Sequence, residues 1–402
     1  MKWRVNKKTR TVLFVVVAAL GVLGLVSLLT GKDVCLTPSS TDRQQCWERE
    51  VIHTVEKEGV AKAFQLLSYL YERDPLFAKD CHAYAHLIGE GSYSRFFNGT
   101  LGELTPEVGY CGYGFFHGFM ETLLFSTGNI SEAQKFCAEV DAKIAGRVAS
   151  SGSTACYHGI GHGVTDGTDP RLWGDADTMV APGLLLCEKV SESDFQEYLC
   201  ATGVFNAIEI LSTDERYGLA EIQEHPYALC HRQPKKYREA CYTNMIPAVL
   251  RLVEDDFLDA ARYVLKEMGE YGKEKTIDGY STEEMVILGF GSEFIRVYLG
   301  DPQYAEKGLS WCRSLNSAVH GACIEGLSVG HIKYGSPEHS YDSLRSFCSL
   351  DSMRAGERDA CYKHVLLRLR NWYEVKRAGE LCRQAPSPYR EKYCTWYESD
   401  NE

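Results

Sequence analysis

The sequence predicts an all-α protein, with a single N-terminal transmembrane helix followed by an α-solenoid of helix-pair repeats stapled by disulfides between consecutive cysteines. Three observations carry that prediction. An uncharged run fills positions 11–30, cysteines recur in pairs 11 to 13 residues apart, and the text around those pairs repeats every 34 to 43 residues. At 402 residues and 45% apolar content the chain can bury an extended core, which excludes a disordered protein. With 55 acidic against 43 basic residues, the net charge of -12 gives no electrostatic basis for binding nucleic acid.

The run TVLFVVVAALGVLGLVSLLT, Thr11 to Thr30, would span roughly 30 Å as a helix at about 1.5 Å per residue. That length matches one bilayer crossing. Lys2, Arg4, Lys7, Lys8 and Arg10 precede it and only Lys32 follows closely, so the positive-inside rule keeps the N-terminus cytoplasmic and sends the remainder out. A cleaved signal peptide is the alternative, but this apolar core is longer than that of a typical signal and no clear small-residue cleavage site follows. The chain is therefore expected to be a single-pass membrane protein whose C-terminal part faces an extracellular, periplasmic or secretory-lumen space. Asn98 and Asn129 open the sequons Asn-Gly-Thr and Asn-Ile-Ser, glycosylation sites only in such a space.

Sixteen cysteines without a single C-x-x-C argue against zinc ribbons and redox motifs and favour structural disulfides in an oxidising compartment. The expected bridges are Cys187 with Cys200, Cys230 with Cys241, Cys312 with Cys323, Cys348 with Cys361, and Cys382 with Cys394. Cys35 and Cys46 follow the same spacing, and Cys137 and Cys156 follow it loosely. Cys81 and Cys111 are outliers, and long-range bridging is the alternative connectivity. Closing a loop of about a dozen residues removes roughly 3 kcal/mol of unfolded-state freedom in the chain-entropy account.

Around each pair, a helix-compatible segment leads to the first cysteine, a polar turn follows, and the second cysteine opens another helix, as in SWCRSLNSAVHGACIEGLS. First cysteines lie 43 residues apart at Cys187 and Cys230, then 36 and 34 apart along Cys312, Cys348 and Cys382. Between Cys241 and Cys312 a unit without cysteines fits, with DDFLDAARYVLKEMG and EEMVILGFGSEFIRVYLG as its two helices. Stacked helix pairs of this period form an α-solenoid. The plan resembles that of tetratricopeptide and Sel1-like repeats, although their diagnostic residues are not met. Four segments follow: a cytoplasmic tail at 1–10, a signal-anchor at 11–30, irregular helical repeats with a His- and Gly-rich face at 31–186, and stapled helical-hairpin repeats at 187–402.

Aligning second helices on their cysteine places Gly114, Gly159, Gly203 and Gly326 at one position, and Gly118, Gly163, Ala207 and Gly330 one turn on. Each interior glycine costs about 1 kcal/mol relative to alanine, so close helix contacts must compensate. Six positions past the cysteine stand His117, His162 and Asn206, with His86 one off register. A turn further stand Glu121 and Asp166, with Glu90 and Glu209 one off. His82, His86 and Glu90 share a helix face, as do His158 and His162.

Neutral imidazole is the commonest transition-metal ligand, and H-x-x-x-H on a helix aims two rings at one point. His82, His86, His117, His158 and His162 are therefore the candidate metal ligands, for zinc, copper or iron, with Glu121 as candidate general base. The competing reading makes these histidines packed core residues that pair with Glu121 and Glu90.

Other motifs are poorer. GIGHG does not match the dinucleotide fingerprint and no strand precedes it. GFGSE, Gly289 to Glu293, reads as helix-packing glycines. No nucleophile elbow is present, and a thiol nucleophile is not expected where every cysteine is paired. Glu283-Glu284 and Asp255-Asp256 read as charges compensating helix N-termini.

Three function classes remain. The first is a membrane-anchored interaction module that binds a protein or small ligand on a concave face. The second is a metal-dependent extracytoplasmic enzyme, a hydrolase by preference, using the histidine cluster. The third is a metal-binding protein without catalysis.

Overall fold

The computed structural model describes Cys35 and residues 40–99, 104–144, 151–165, 167–276, 279–373 and 375–398. The tail at 1–10 and the anchor expected at 11–30 lie outside the described residues. Among those described, no helix is long and apolar enough to cross a membrane. The described chain is all-helical, and its only β-type pairing is one isolated bridge between Lys275 and Ser281.

The longer helices are α1 (Ser40–Glu58), α2 (Val60–Tyr71), α3 (Cys81–Phe97), α4 (Tyr110–Thr127), α5 (Ile130–Ile144) and α6 (Ser151–Val164). They continue with α7 (Ala176–Val190), α8 (Asp194–Leu211), α9 (Lys235–Asn244), α10 (Ile246–Leu252), α11 (Phe257–Glu267) and α12 (Thr282–Tyr298). The last six are α13 (Tyr304–Ser314), α14 (Ser317–Tyr334), α15 (Ser340–Cys348), α16 (Ala355–Leu367), α17 (Val375–Gln384) and α18 (Ser387–Tyr393). The cysteine-free unit appears as expected, its two helices being α11 and α12.

Polar residues set where these helices begin. The side chains of Asp175, Ser193, Asp256 and Asn316 each accept a hydrogen bond from a backbone N–H in the first turn of α7, α8, α11 and α14. Ser281 and Glu284 form a reciprocal capping box at the start of α12. Asp256 thus caps α11, and Glu283 and Glu284 lie in the first turn of α12, as their positions suggested.

All eight bridges join consecutive cysteines, including Cys81–Cys111 and Cys137–Cys156, and no cysteine is free. One detail differs from expectation. In two pairs the second cysteine does not open its helix: Cys200 and Cys323 lie well inside α8 and α14, because Ser193 and Asn316 cap those helices earlier.

Second helices of successive pairs pack directly on one another, α3 on α4, α4 on α6, α6 on α8, then α8, α9, α12, α14 and α16 in turn. First helices such as α5, α7, α13 and α15 cover their flanks. Fully buried aromatics fill the layer between, for example Phe119 stacked on Phe136 with ring centroids 3.9 Å apart. Each such burial contributes roughly 1.5–3 kcal/mol.

The row of second helices also curls until its ends meet. Helix α14 packs against α4, the Tyr71 hydroxyl donates to the Tyr334 carbonyl, and the Tyr113 hydroxyl donates to the Asn371 carbonyl. Tyr110 donates to Glu338 at 3.2 Å across the same seam. Second helices therefore surround a central space instead of leaving one long open face.

Candidate functional site

The glycines and histidines singled out in the sequence are two sides of one feature. A Cβ on Gly114 would overlap the His82 carbonyl oxygen, one on Gly118 that of His86, and one on Gly203 that of His158. Without side chains at these points, α3, α4, α6 and α8 approach to backbone contact. That approach brings imidazoles of different helices together. The second GFGSE glycine acts alike: a Cβ on Gly291 would lie 2.6 Å from the Cys323 carbonyl oxygen of α14, whereas one on Gly289 would meet the Ile246 side chain.

All five candidate histidines form one contiguous group centred on His117. Its ring centroid lies 4.9 Å from that of His82, 4.6 Å from His158, 5.2 Å from His162 and 5.8 Å from His86. The group has two tiers. His82, His117 and His158 line the central cavity, while His86 and His162 lie beyond them with Glu121 and Glu90.

Hydrogen bonds fix the proton positions in the cavity tier. His82 Nδ1 lies 2.8 Å from the Cys111 carbonyl, which can only accept, so Nδ1 carries the proton and Nε2 a lone pair. That lone pair faces His117 Nδ1 at 3.3 Å. The Thr202 hydroxyl donates to the Leu199 carbonyl at 2.5 Å, so it accepts from His158 Nδ1 at 2.7 Å and leaves His158 Nε2 unprotonated. The Cys111 carbonyl is aimed by unusual backbone: Cys111, Gly112 and Tyr113 have φ of 54°, 70° and 65°, a left-handed run that costs energy at Cys111 and Tyr113.

Burial, reinforced by neighbouring cationic groups, keeps these rings neutral. It pushes His82 down to about 4, His158 down to about 3 and His117 well below the ordinary histidine value, with like charge on the other rings and Lys333 near His82 and His158 acting in the same sense.

In the outer tier Glu121 touches two imidazoles. His162 Nδ1 is in close contact with Glu121 Oε1, and His86 Nε2 lies 3.5 Å from Glu121 Oε2. His86 Nδ1 lies 3.4 Å from Glu90 Oε1. Burial acts to raise the Glu121 pKa, but the contact with His162, with His86 and His82 behind it, outweighs burial and holds it below the usual carboxylate range. Although His162 is only 5% exposed, its Nε2 has no hydrogen-bond partner among the described residues. A buried polar atom left so is uncommon and fits a group that awaits a ligand.

Among the described residues one set of three metal-competent donors converges, with all donor atoms within 4.8 Å of one another: His86, Glu90 and Glu121. The five-histidine set expected from sequence is thus gathered, but its convergent donors are one imidazole and two carboxylates. Asp166 lies outside the described residues. Glu90 was visible as a face-mate of His86 in the sequence.

The central cavity measures about 790 Å³ and is walled by α3, α4, α6, α8, α9, α12 and α14. The same cavity is lined by Ser292, Glu293, Arg296 and Lys333; in the sequence the GFGSE run that holds Ser292 and Glu293 reads as helix-packing glycines alone, and no motif surrounds Arg296 and Lys333. They belong to the repeats that meet the N-terminal helices only through the curl. Comparison of the chain with protein-family models, with curated proteins and with solved structures finds no match.

Proposed function

We propose that the protein is a membrane-anchored, extracytoplasmic helical-repeat protein that holds a divalent transition metal and acts on a small ligand in its central cavity. The succession of helix pairs is read as an α-solenoid of tetratricopeptide or Sel1-like plan, curled until it closes. Eight disulfides and the exposed sequon asparagines Asn98 and Asn129 support the oxidising compartment, and the run at 11–30 supports the anchor.

The observation that carries the metal reading is the convergence of His86, Glu90 and Glu121, with buried His162 against Glu121. One nitrogen and two carboxylate oxygens suit zinc or ferrous iron better than cuprous copper, which prefers sulfur. In this reading His162 orients Glu121, and Glu121 is a ligand before it is a general base. His82, His117 and His158 stay neutral on the cavity wall, where their ring nitrogens can exchange hydrogen bonds with a ligand.

Enclosure of the inner face favours a small ligand over a protein partner on a concave surface. The cavity on the other side of the His82, His117 and His158 tier favours an enzyme over a store for metal, which needs no such space, and hydrolysis is the reaction class that a Lewis acid beside a carboxylate supports most directly. The test is a panel of esters, amides and phosphomonoesters assayed with the purified chain before and after chelation. Turnover that is lost to chelator and restored by zinc or iron is expected; turnover indifferent to chelator overturns the reading, and a metal bound without any turnover reduces it to the non-catalytic class.

A further inference from the structure

One cation on the wall of the central cavity makes no ion pair among the described residues. The acids there are Asp80, Glu209 and Glu293: Glu293 is held by Arg296 at 2.6 Å and by the Tyr334 hydroxyl, Glu209 is held by Arg251, and Asp80 is attracted by Arg296 and Lys79. Lys333 of α14 lines the same cavity, and no carboxylate of the described residues lies within ion-pair distance of its ammonium. Its Nζ lies 4.8 Å from the Tyr334 ring centroid. Burial lowers its pKa, with Glu293 opposing and Arg296 assisting, so the ammonium sits where water compensates it poorly.

Two further observations point to a ligand. Ser292 on the neighbouring helix α12 is 5% exposed, lines the cavity, and has a hydroxyl with no hydrogen-bond partner among the described residues. Lys333 also stands at the seam beside the histidines: a Cβ on Gly112 would lie 3.1 Å from Lys333 Cε and 3.5 Å from His82 Nδ1. An acid group at Lys333 would therefore place the rest of a small molecule within the space that His82, His117 and His158 face.

We infer that the cavity binds a small organic acid, with its anionic group paired to Lys333 and a polar group hydrogen-bonded to Ser292. The site would pair a cation that makes no ion pair among the described residues, and charge-assisted hydrogen bonds of this kind recognise carboxylate or phosphate. It deepens the small-ligand reading above but does not require the metal, because none of the convergent donors takes part.

The experiment is calorimetric titration of the full-length chain in detergent with succinate, benzoate, inorganic phosphate and phenyl phosphate, and with glucose as uncharged control. Saturable one-to-one binding of at least one acid, but not of glucose, is expected; carboxylate and phosphate arms identify which acid the site takes. Lys333→Met should weaken that binding at least ten-fold, Lys333→Arg should keep most of it, and Lys307→Met, whose ammonium is paired with Asp301 on the surface, should leave it unchanged. Thermal unfolding of each variant establishes that it is folded. Binding should persist in the parent chain after treatment with chelator, so failure of the metal reading is read separately. If none of the acids binds, or folded Lys333→Met binds as the parent does, the inference is overturned.

Discussion

Gly203 and His158 are in backbone contact: a Cβ at 203 would overlap the His158 carbonyl oxygen, so α8 can lie against α6 only because residue 203 has no side chain. The His158 ring reaches Thr202 on that same helix. Helix spacing and imidazole placement are thus set together.

Gly203→Ala should therefore cost more than a helix-propensity change, which would favour alanine. Overpacking at such a contact costs about 1–3 kcal/mol. Equilibrium denaturation is expected to show a loss of about 2 kcal/mol or more. An unchanged or raised stability would mean that the helices are not in contact there.

Disulfide removal tests the staples one at a time. Cys312→Ser with Cys323→Ser opens a bridge between residues 11 apart and should lower stability by about 2–5 kcal/mol, while a thiol assay of the denatured, unreduced parent should find no free thiol.

His331 gives the clearest pH dependence because it stands apart from the candidate metal donors. Burial alone pushes it down to about 3; its Nδ1 bonds Ser343 Oγ at 2.8 Å and its ring stacks on Phe347. An ordinary histidine in the unfolded chain titrates near 6.5. Between those values the unfolded chain binds the extra proton, so the stability this residue contributes is complete above about 6.5 and declines as pH falls toward about 3. In denaturant titrations near pH 5, His331→Phe should flatten the slope of stability against pH by up to about 1.4 kcal/mol per unit. An unaltered slope would show that His331 is not buried neutral.

The seam should depend on Tyr113, whose hydroxyl reaches Asn371 and whose ring lies 6.0 Å from that of Trp372. Tyr113→Ala is expected to raise amide hydrogen exchange in the first turn of α4 and around residues 371–373, without affecting the staples of distant repeats. Equal exchange in parent and variant would count against closure through this contact.

Much of this architecture is legible in the sequence, and the reason is repetition. Neighbouring repeats place equal positions side by side, so counting from each cysteine is enough to bring His117 and His162 together, with His86 one off register, and to align Gly114, Gly159 and Gly203. Bridges between consecutive cysteines follow from the same local geometry. Lys333 and Ser292 escape that method, since they reach the histidines only across a seam that joins residues such as Tyr71 and Tyr334, 263 positions apart. Local period carries no information on how far a curl proceeds. That Glu121 stands between His86 and His162 in particular likewise needed side-chain distances, which spacing alone does not supply.

The central claim is that His86, Glu90 and Glu121 hold a metal. Its most direct test is metal analysis of the chain after exposure to zinc, iron, copper and manganese followed by dialysis, for the parent, His86→Ala, Glu121→Gln and, as control, His320→Ala, whose ring contacts Glu357 elsewhere in the fold. One tightly held zinc or iron per chain, lost in His86→Ala and Glu121→Gln and kept in His320→Ala, is the predicted result. No retained metal in the parent, or the same content in all four proteins, would contradict it.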